Sequence, residues 1–430
     1  MRWGGRITAA IEILGEAFGH HRPASDTLRD WGRAHRFAGS GDRHAIGTLV
    51  FDVLRKRNSL AFAMRDESPR ALVLAALRFV WGRPVAEIDA SAGDLHGPGG
   101  LTANERTSLE GFDREAAPVH VQGDFPEWLN SSFDRAFGAH AVQEGAALAE
   151  RAPIDLRVNI LKADRPKLIA AYSKYGGSEG PLSPWCVRIP SPNPDARNLN
   201  VEAEPAHGKG WFEVQDAGSQ TAALMCGAKA GEQVADICAG AGGKTLALAA
   251  MMANRGQIHA YDADRHRLRP IFERLQRAGV RNVQVIGADE TARLEVLRGK
   301  MDCVLVDAPC SGSGSWRRKP DAKWRLTSKQ LSIRLSEQRT VLAQGNALVK
   351  PGGRLVYVTC SVLPEENVDQ VHAFLAADPQ FGLVPYREQW RIAIGSPPPE
   401  SADGSSATLL LTPARHAVDG FFIAVMRRVT

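Results

Sequence analysis

At 430 residues the chain is long enough for two or three domains, each with its own core. Its 44% hydrophobic and 23% charged composition is that of an ordinary soluble protein, and the longest apolar stretch, at 72–80, is interrupted by Arg78 and too short to cross a bilayer, which argues against a membrane partner. The 53 Lys and Arg against 48 Asp and Glu leave a formal charge of +5, which fits an anionic partner such as nucleic acid without requiring one; six irregularly spaced cysteines argue for reduced thiols in the cytoplasm, not a disulfide framework.

The basic N-terminus leads into an amphipathic helix and not into the apolar core of a secretory signal. Residues 1–120 are expected to be helical: Ile7, Ile11 and Leu14 keep helical spacing, as do Ile46, Leu49, Val50, Val53 and Leu54. Arginines and histidines recur between these positions (Arg33, His35, Arg36, Arg43, His44, then Arg55-Lys56-Arg57), as a solvated face or an RNA-contacting one. Turn residues at 91–100 predict a linker or exposed loop. Between 121 and 210 the pattern becomes mixed, with a helix at 146–149, a strand at 156–159, a helix at 165–172 and a Pro-rich stretch at 181–194.

From 211 to 430 strands and helices alternate. Strands are predicted at 234–238, 257–261, 283–286, 303–306, 355–358 and 421–426, and helices at 246–253, 267–278, 331–348 and 365–376. Such alternation means a parallel sheet covered on both faces. A Ser/Pro/Gly segment at 395–406 is expected to be mobile.

The first of these strands runs into Gly240-Ala241-Gly242-Gly243-Lys244, then a helix, so the backbone turns tightly and offers free amides to a ligand. A phosphate-binding Walker loop needs glycine where Cys238 stands, and a dinucleotide fingerprint needs Gly or Ala where Thr245 stands. Asp262, closing the second strand, suits ribose hydroxyls, and Asp289, closing the third, is either an adenine contact or a surface turn residue.

Cysteines decide the matter. Asp307-Ala308-Pro309-Cys310 and Thr359-Cys360-Ser361 each close a strand-like run, where ligands and chemistry sit in a doubly wound sheet. A thiolate added to carbon 6 of cytosine makes carbon 5 nucleophilic towards a sulfonium methyl donor, an acidic group supports the ring as charge develops, and a base must then remove the carbon 5 proton before the thiol leaves. The residues alone leave the two thiols equal as candidates for the attack. Cys238 and Cys303 are expected in the core, Cys186 and Cys226 carry no signal, and no further Cys/His spacing supports a metal.

The segments 236–245, 307–314 and 359–367 (DICAGAGGKT, DAPCSGSG, TCSVLPEEN) resemble the signature motifs of the RsmB branch of the NOL/NOP/Sun family of RNA cytosine-5 methyltransferases. The match is strong over 211–430 and weaker upstream, where 41–55 resembles a NusB-like helical domain. This likeness implies an α/β fold: a Rossmann-like class I methyltransferase domain at 211–430, preceded by a small α/β module at 121–210 and an all-α NusB-like domain at 1–120. It implies Cys360 as nucleophile, Cys310 assisting release and Asp307 contacting the base and bordering the cofactor. Cys238, Ala239, Gly240, Ala241, Gly242, Gly243, Lys244, Asp262 and Asp289 would line S-adenosylmethionine. Ala241 stands where many members have proline, and Ala217-Gly218 replaces a more polar pair.

Trp316, Arg317, Arg318, Lys319, Lys323 and Arg325 interleave aromatic and basic character just after Cys310 and are expected to contact RNA. The implied partner is RNA, ribosomal before transfer RNA, acted on by a monomer. Three competing readings are weaker. An assembly factor without catalysis has no use for two intact thiols, an amine methyltransferase commonly shows Asn-Pro-Pro-Tyr or Asp-Pro-Pro-Tyr at the fourth strand, and a dehydrogenase has no need of Cys360.

Overall fold

In the computed structural model, residues 1–191 and 199–429 are described. The Pro-rich stretch foreseen at 181–194 therefore lies partly outside the described residues. Helices Trp3–Gly19, Ala24–Ala34, Ser40–Arg55, Arg57–Met64, Pro69–Ala75, Val85–Ala92 and Ala103–Glu110 form the N-terminal bundle. Ile7, Leu14, Ile46, Leu49, Val50, Val53 and Leu54 are buried in its core, as the helical spacing predicts. Local chemistry fixes the helix starts: the Ser68 hydroxyl accepts from the Ala71 amide with Pro69 in the first turn, and Thr102 and Glu105 cap each other reciprocally. The loop after Ala92 folds back on the bundle, where Arg70 donates to the carbonyls of Pro98, Gly99 and Gly100.

A four-stranded antiparallel sheet follows, in the order β2-β3-β1-β4: β1 (Ile154–Val158), β2 (Ser178–Glu179), β3 (Cys186–Ile189) and β4 (Phe212–Val214). It has a separate small core built on Leu156, Val158, Leu168, Tyr172 and Phe212. The helices just before it, Asn130–Phe137 and Ala141–Leu148, pack elsewhere: Phe125, Phe133, Phe137 and Leu148 join the core of the large sheet, and Phe125 stacks on Phe133 at 4.0 Å.

That large sheet has eight strands in the order β10-β12-β9-β8-β5-β6-β7, with β11 paired to β12. They are β5 (Gln233–Asp236), β6 (Gln257–Tyr261), β7 (Val283–Ile286), β8 (Met301–Asp307), β9 (Val349–Thr359), β10 (Phe381–Val384), β11 (Leu409–Leu411) and β12 (Phe421–Arg428). Strands β5 to β9 are parallel, and β12 runs antiparallel to both β9 and β10. Helix Gly243–Met251 lies on one face and the long Ser328–Leu348, started by a Thr327/Gln330 capping box, on the other. The predicted helix at 267–278 is broken at Pro270 into Arg265–Leu268 and Ile271–Ala278.

The short strands β10 and β11 escaped the sequence pattern because neither is long enough to show a period. The 395–406 segment, expected to be mobile, is tied down: Trp390 Nε1 donates to Ser396 Oγ, Tyr386 OH to the Pro399 carbonyl and the Leu410 amide to Ser401 Oγ. No helix among the described residues is long and apolar enough to cross a membrane.

Candidate active site

Chain order reverses at the boundary between β5 and β8, since β6 and β7 are added on one side of β5 and β9 beyond β8 on the other. The crevice past the carboxyl ends of strands at such a switch is the general ligand position in open α/β sheets. Asp236 closes β5, Asp307 closes β8, and Thr359 closes β9 so that Cys360 follows immediately.

The glycine turn after β5 is held from two sides. The Ala239 amide donates to the Tyr261 carbonyl, and the Asp262 carboxylate accepts from the amides of Gly240 (2.8 Å) and Asp264 (2.9 Å). Gly240 and Gly242 have φ of +51° and +81°. A Cβ on Gly242 would lie 2.5 Å from Ile271 Cγ1, whereas one on Gly240 meets nothing nearer than the Arg267 guanidinium at 3.5 Å. Both positions need glycine for their positive φ, and at Gly242 the contact with Ile271 excludes a Cβ as well. A cavity of about 740 Å³ opens here, walled by Cys238, Tyr261, Asp262, Arg267, Asp307, Cys310 and Cys360 among others. Its size suits a cofactor with a substrate group beside it.

Asp236, behind the turn, is fully buried; one oxygen takes the Thr245 hydroxyl at 2.7 Å and the other has no partner. Burial pushes its carboxyl up to about 7. Lys244, also buried, reaches forward to Asp307 at 2.6 Å. Predicted Asp289 does not share this cavity. It is exposed and lines a separate hollow with Arg265, Arg269 and Phe272.

The two predicted thiols meet, with Cys310 Sγ 3.3 Å from Cys360 Sγ. The Cys310 S–H donating to Cys360 lowers the Cys360 thiol below its ordinary value; burial and Asp307 oppose this, and Lys244 reinforces it. The same bond, followed by burial, pushes Cys310 up. Either sulfur can donate in this contact, and the two opposite shifts favour Cys360 as the thiol that ionises first, as a nucleophile must.

Sequence reasoning missed what holds this pair. Glu366, fully buried, accepts from the Ser311 amide (2.8 Å), the Ser311 hydroxyl (2.5 Å) and Gln338 Nε2 (3.1 Å), while Gln338 also donates to the Pro309 carbonyl. Burial raises the Glu366 carboxyl, and the hydroxyls of Ser311 and Ser361 oppose that shift. Ser313 and Ser361 hydroxyls meet at 2.9 Å, and the Gly314 amide donates to the Cys360 carbonyl at 2.9 Å. The two cysteine loops are thus stitched together. Glu366 stands inside the 359–367 motif, so a signal was present; Gln338, on a distant helix, had none.

The aromatic–basic run after Cys310 requires a correction. Trp316, Arg317 and Lys323 are buried, with Trp316 stacked towards Phe133 at 6.2 Å. Arg317 pairs with Asp419 and Asp216, and Arg318 with Asp216 (2.8 Å) and Asp419 (2.5 Å). Lys323 donates to the carbonyls of Arg55 (2.9 Å) and Asp124 (2.5 Å), and Trp324 Nε1 to that of Leu54 (2.5 Å). Arg325 pairs with Asp321 at 3.1 Å; Lys319 is exposed. Much of the run is a seam fastening the helical bundle to the large sheet, because cations and indoles satisfy carbonyls and carboxylates at a junction as readily as they satisfy RNA.

Residues 223–427 match the profile of the family described as 16S rRNA methyltransferase RsmB/F. The chain is 31% identical over 321 residues to the probable ribosomal RNA small subunit methyltransferase B of Synechocystis sp., covering 74% of this chain and 70% of that one. To ribosomal RNA small subunit methyltransferase B of Vibrio cholerae it is 32% identical, covering 83% and 79%. Among solved structures, the crystal structure of PH0851 aligns with a TM-score of 0.72 at 25% identity over 99% of this chain and 98% of that one. A methyltransferase homolog protein from Pyrococcus horikoshii aligns at 0.58 and 28% identity, over 72% and 98%.

Proposed function

This chain belongs to the 16S rRNA methyltransferase RsmB/F family, and from that premise we propose that it methylates carbon 5 of a cytosine in small-subunit ribosomal RNA, in the cytoplasm, with Cys360 as the attacking thiolate. The observation that carries this reading is the thiol pair at 3.3 Å on the wall of the cavity, with Asp307 on the same wall.

S-adenosylmethionine, the cofactor of this methyltransferase family, fits the residues present: Asp262 retains lone pairs for ribose hydroxyls, and Tyr261 offers an apolar wall beside Cys238 in the same cavity. When bound it supplies an electrophilic methyl group. The chain's own residues do the rest. Cys360 Sγ forms a bond to carbon 6 of the cytosine, and Asp307, with one oxygen engaged by Lys244, offers the other to the exocyclic amine. Once the methyl group is on carbon 5, a solvent base takes the carbon 5 proton, the electron pair of that C–H bond restores the C5=C6 double bond as the S–C6 bond breaks, and Cys360 leaves as a thiolate to which the Cys310 S–H again hydrogen-bonds.

The test is to incubate wild type, Cys360→Ala and Cys310→Ala with labelled S-adenosylmethionine and unmodified ribosomal or transfer RNA, scoring methyl transfer and denaturant-resistant protein–RNA adducts. Cys360→Ala should lose both, and Cys310→Ala should accumulate adduct. The reverse pattern moves the attack to Cys310, labelling of transfer RNA alone moves the substrate, and no transfer with intact cofactor binding overturns the reading.

A further inference from the structure

A second cavity, of about 510 Å³, lies where helix Ser40–Arg55 of the bundle meets the segment before β1 and the Arg317-Arg318 pair of the large-sheet domain. Five arginines line it, Arg43, Arg55, Arg151, Arg317 and Arg318, and among the described residues that line it none is acidic. The carboxylates that balance them sit behind the wall. Buried Asp52 is held by Arg55 (3.0 Å), by Arg151 through both its oxygens, and by Trp81 Nε1 (2.8 Å); Asp216 and Asp419 take Arg317 and Arg318. Among the described residues these five guanidinium groups are faced by three paired carboxylates, with Glu150 also acting on Arg55. Arg43 is the least committed of the five: its Nε donates to the Ala38 carbonyl (2.9 Å), and among the described residues its guanidinium has no carboxylate partner.

The cavity is coupled to the thiols by a short tether. Gly314, which donates to the Cys360 carbonyl, precedes Arg317 by three residues, a reach of at most about 11 Å. A planar guanidinium fork such as that of Arg43, beside four arginines already held by carboxylates, matches phosphate oxygens, and backbone phosphates set the register of a nucleic acid on a protein.

We propose that this cavity is a phosphate clamp for the RNA backbone, engaging a phosphodiester next to the target cytosine so that the base enters the cleft beside Cys360. The proposal rests on the RNA methylation argued above. It gives the basic residues of helix Ser40–Arg55 a task that the buried seam at Lys323 does not have.

The test uses the full chain and titrates unmodified small-subunit ribosomal RNA at several salt concentrations, with Arg43→Glu, Arg43→Lys and wild type side by side. Arg43→Glu should weaken RNA binding about tenfold or more and make the dependence of log affinity on log salt shallower by about 0.7–0.9 per lost phosphate contact. Arg43→Lys should stay within about threefold of wild type, because the charge is kept. S-adenosylmethionine binding and the melting temperature should be unchanged in both. Inorganic phosphate, added as a competitor at constant ionic strength, should weaken wild type more than Arg43→Glu; if it competes equally with both, the site is not a phosphate site. Unaltered affinity and salt slope in Arg43→Glu, with wild type still methylating RNA, overturns the clamp alone. Wild type that binds no RNA overturns both this proposal and the methylation reading.

Discussion

The Lys244 ammonium lies 2.6 Å from the Asp307 carboxylate, and the same charge acts on Cys360 and on Asp236. One residue of the glycine turn therefore bears on the carboxylate proposed to contact the base, on the proposed nucleophile and on the buried acid behind the turn. Replacing Lys244 with Met should slow methyl transfer about 10- to 100-fold, corresponding to about 1.5–3 kcal/mol for a hydrogen bond between charged groups. Single-turnover kinetics on folded variant check this; a rate within twofold of wild type would reduce Lys244 to a packing role.

Thiol polarity makes a sharper statement. Because the Cys310 S–H is the largest cause of the lowered Cys360 thiol, Cys310→Ala should move the alkylation profile of Cys360 to higher pH, towards the ordinary thiol range. Cys360→Ala should leave Cys310 slow to alkylate at neutral pH, since burial still opposes its ionisation. Iodoacetamide labelling read by peptide mass spectrometry across pH 6–10 distinguishes the two thiols; equal profiles in wild type would contradict the assigned polarity.

Asp236 sets a pH dependence of stability. Its carboxyl, pushed by burial from an ordinary 3.8 to about 7, keeps its proton in the fold where the unfolded chain has released it. Between those two values the native state binds more protons, so this group's contribution is fully present below about 4 and is lost as pH rises towards 7. Asp236→Asn removes that slope: its melting temperature should fall less than that of wild type between pH 4 and pH 7.5. Parallel curves for the two proteins would refute the burial argument.

Much of the site was legible in the sequence because its chemistry is local. Cys310, Cys360, Asp307 and the glycine turn each stand at a strand end, so alternation of strands and helices already brought them to one edge. The pairing of the two sulfurs was not legible, since Cys310 and Cys360 are fifty residues apart and their contact depends on Glu366, Gln338 and the Ser313–Ser361 bond between loops. Asp289 shows where local pattern stops: it follows β7 as expected, as either an adenine contact or a surface turn residue, and its side chain lines a neighbouring hollow. Chain proximity puts 121–210 into one expected module with a helix at 146–149, whereas helices Asn130–Phe137 and Ala141–Leu148 pack on the large sheet, with Phe125 stacked on Phe133 and Phe133 towards Trp316.

Lys323 shows how a basic residue near a nucleic-acid site can belong to the protein interior. Its side chain is buried, its ammonium donates to the Arg55 and Asp124 carbonyls, and burial drives it down to about 7. The unfolded chain then binds more protons than the fold between about 7 and 10.5, so this group's contribution to stability grows as pH rises through that window. Lys323→Met strips both carbonyls of their donor, at a cost of about 1–3 kcal/mol each, and should lower the melting temperature and expose the bundle's junction to proteolysis. At temperatures where the variant is folded, its RNA affinity and salt slope should match wild type within about twofold, unlike those of Arg43→Glu. A normal melt combined with a lost phosphate contact in the salt titration would return Lys323 to the RNA-binding surface.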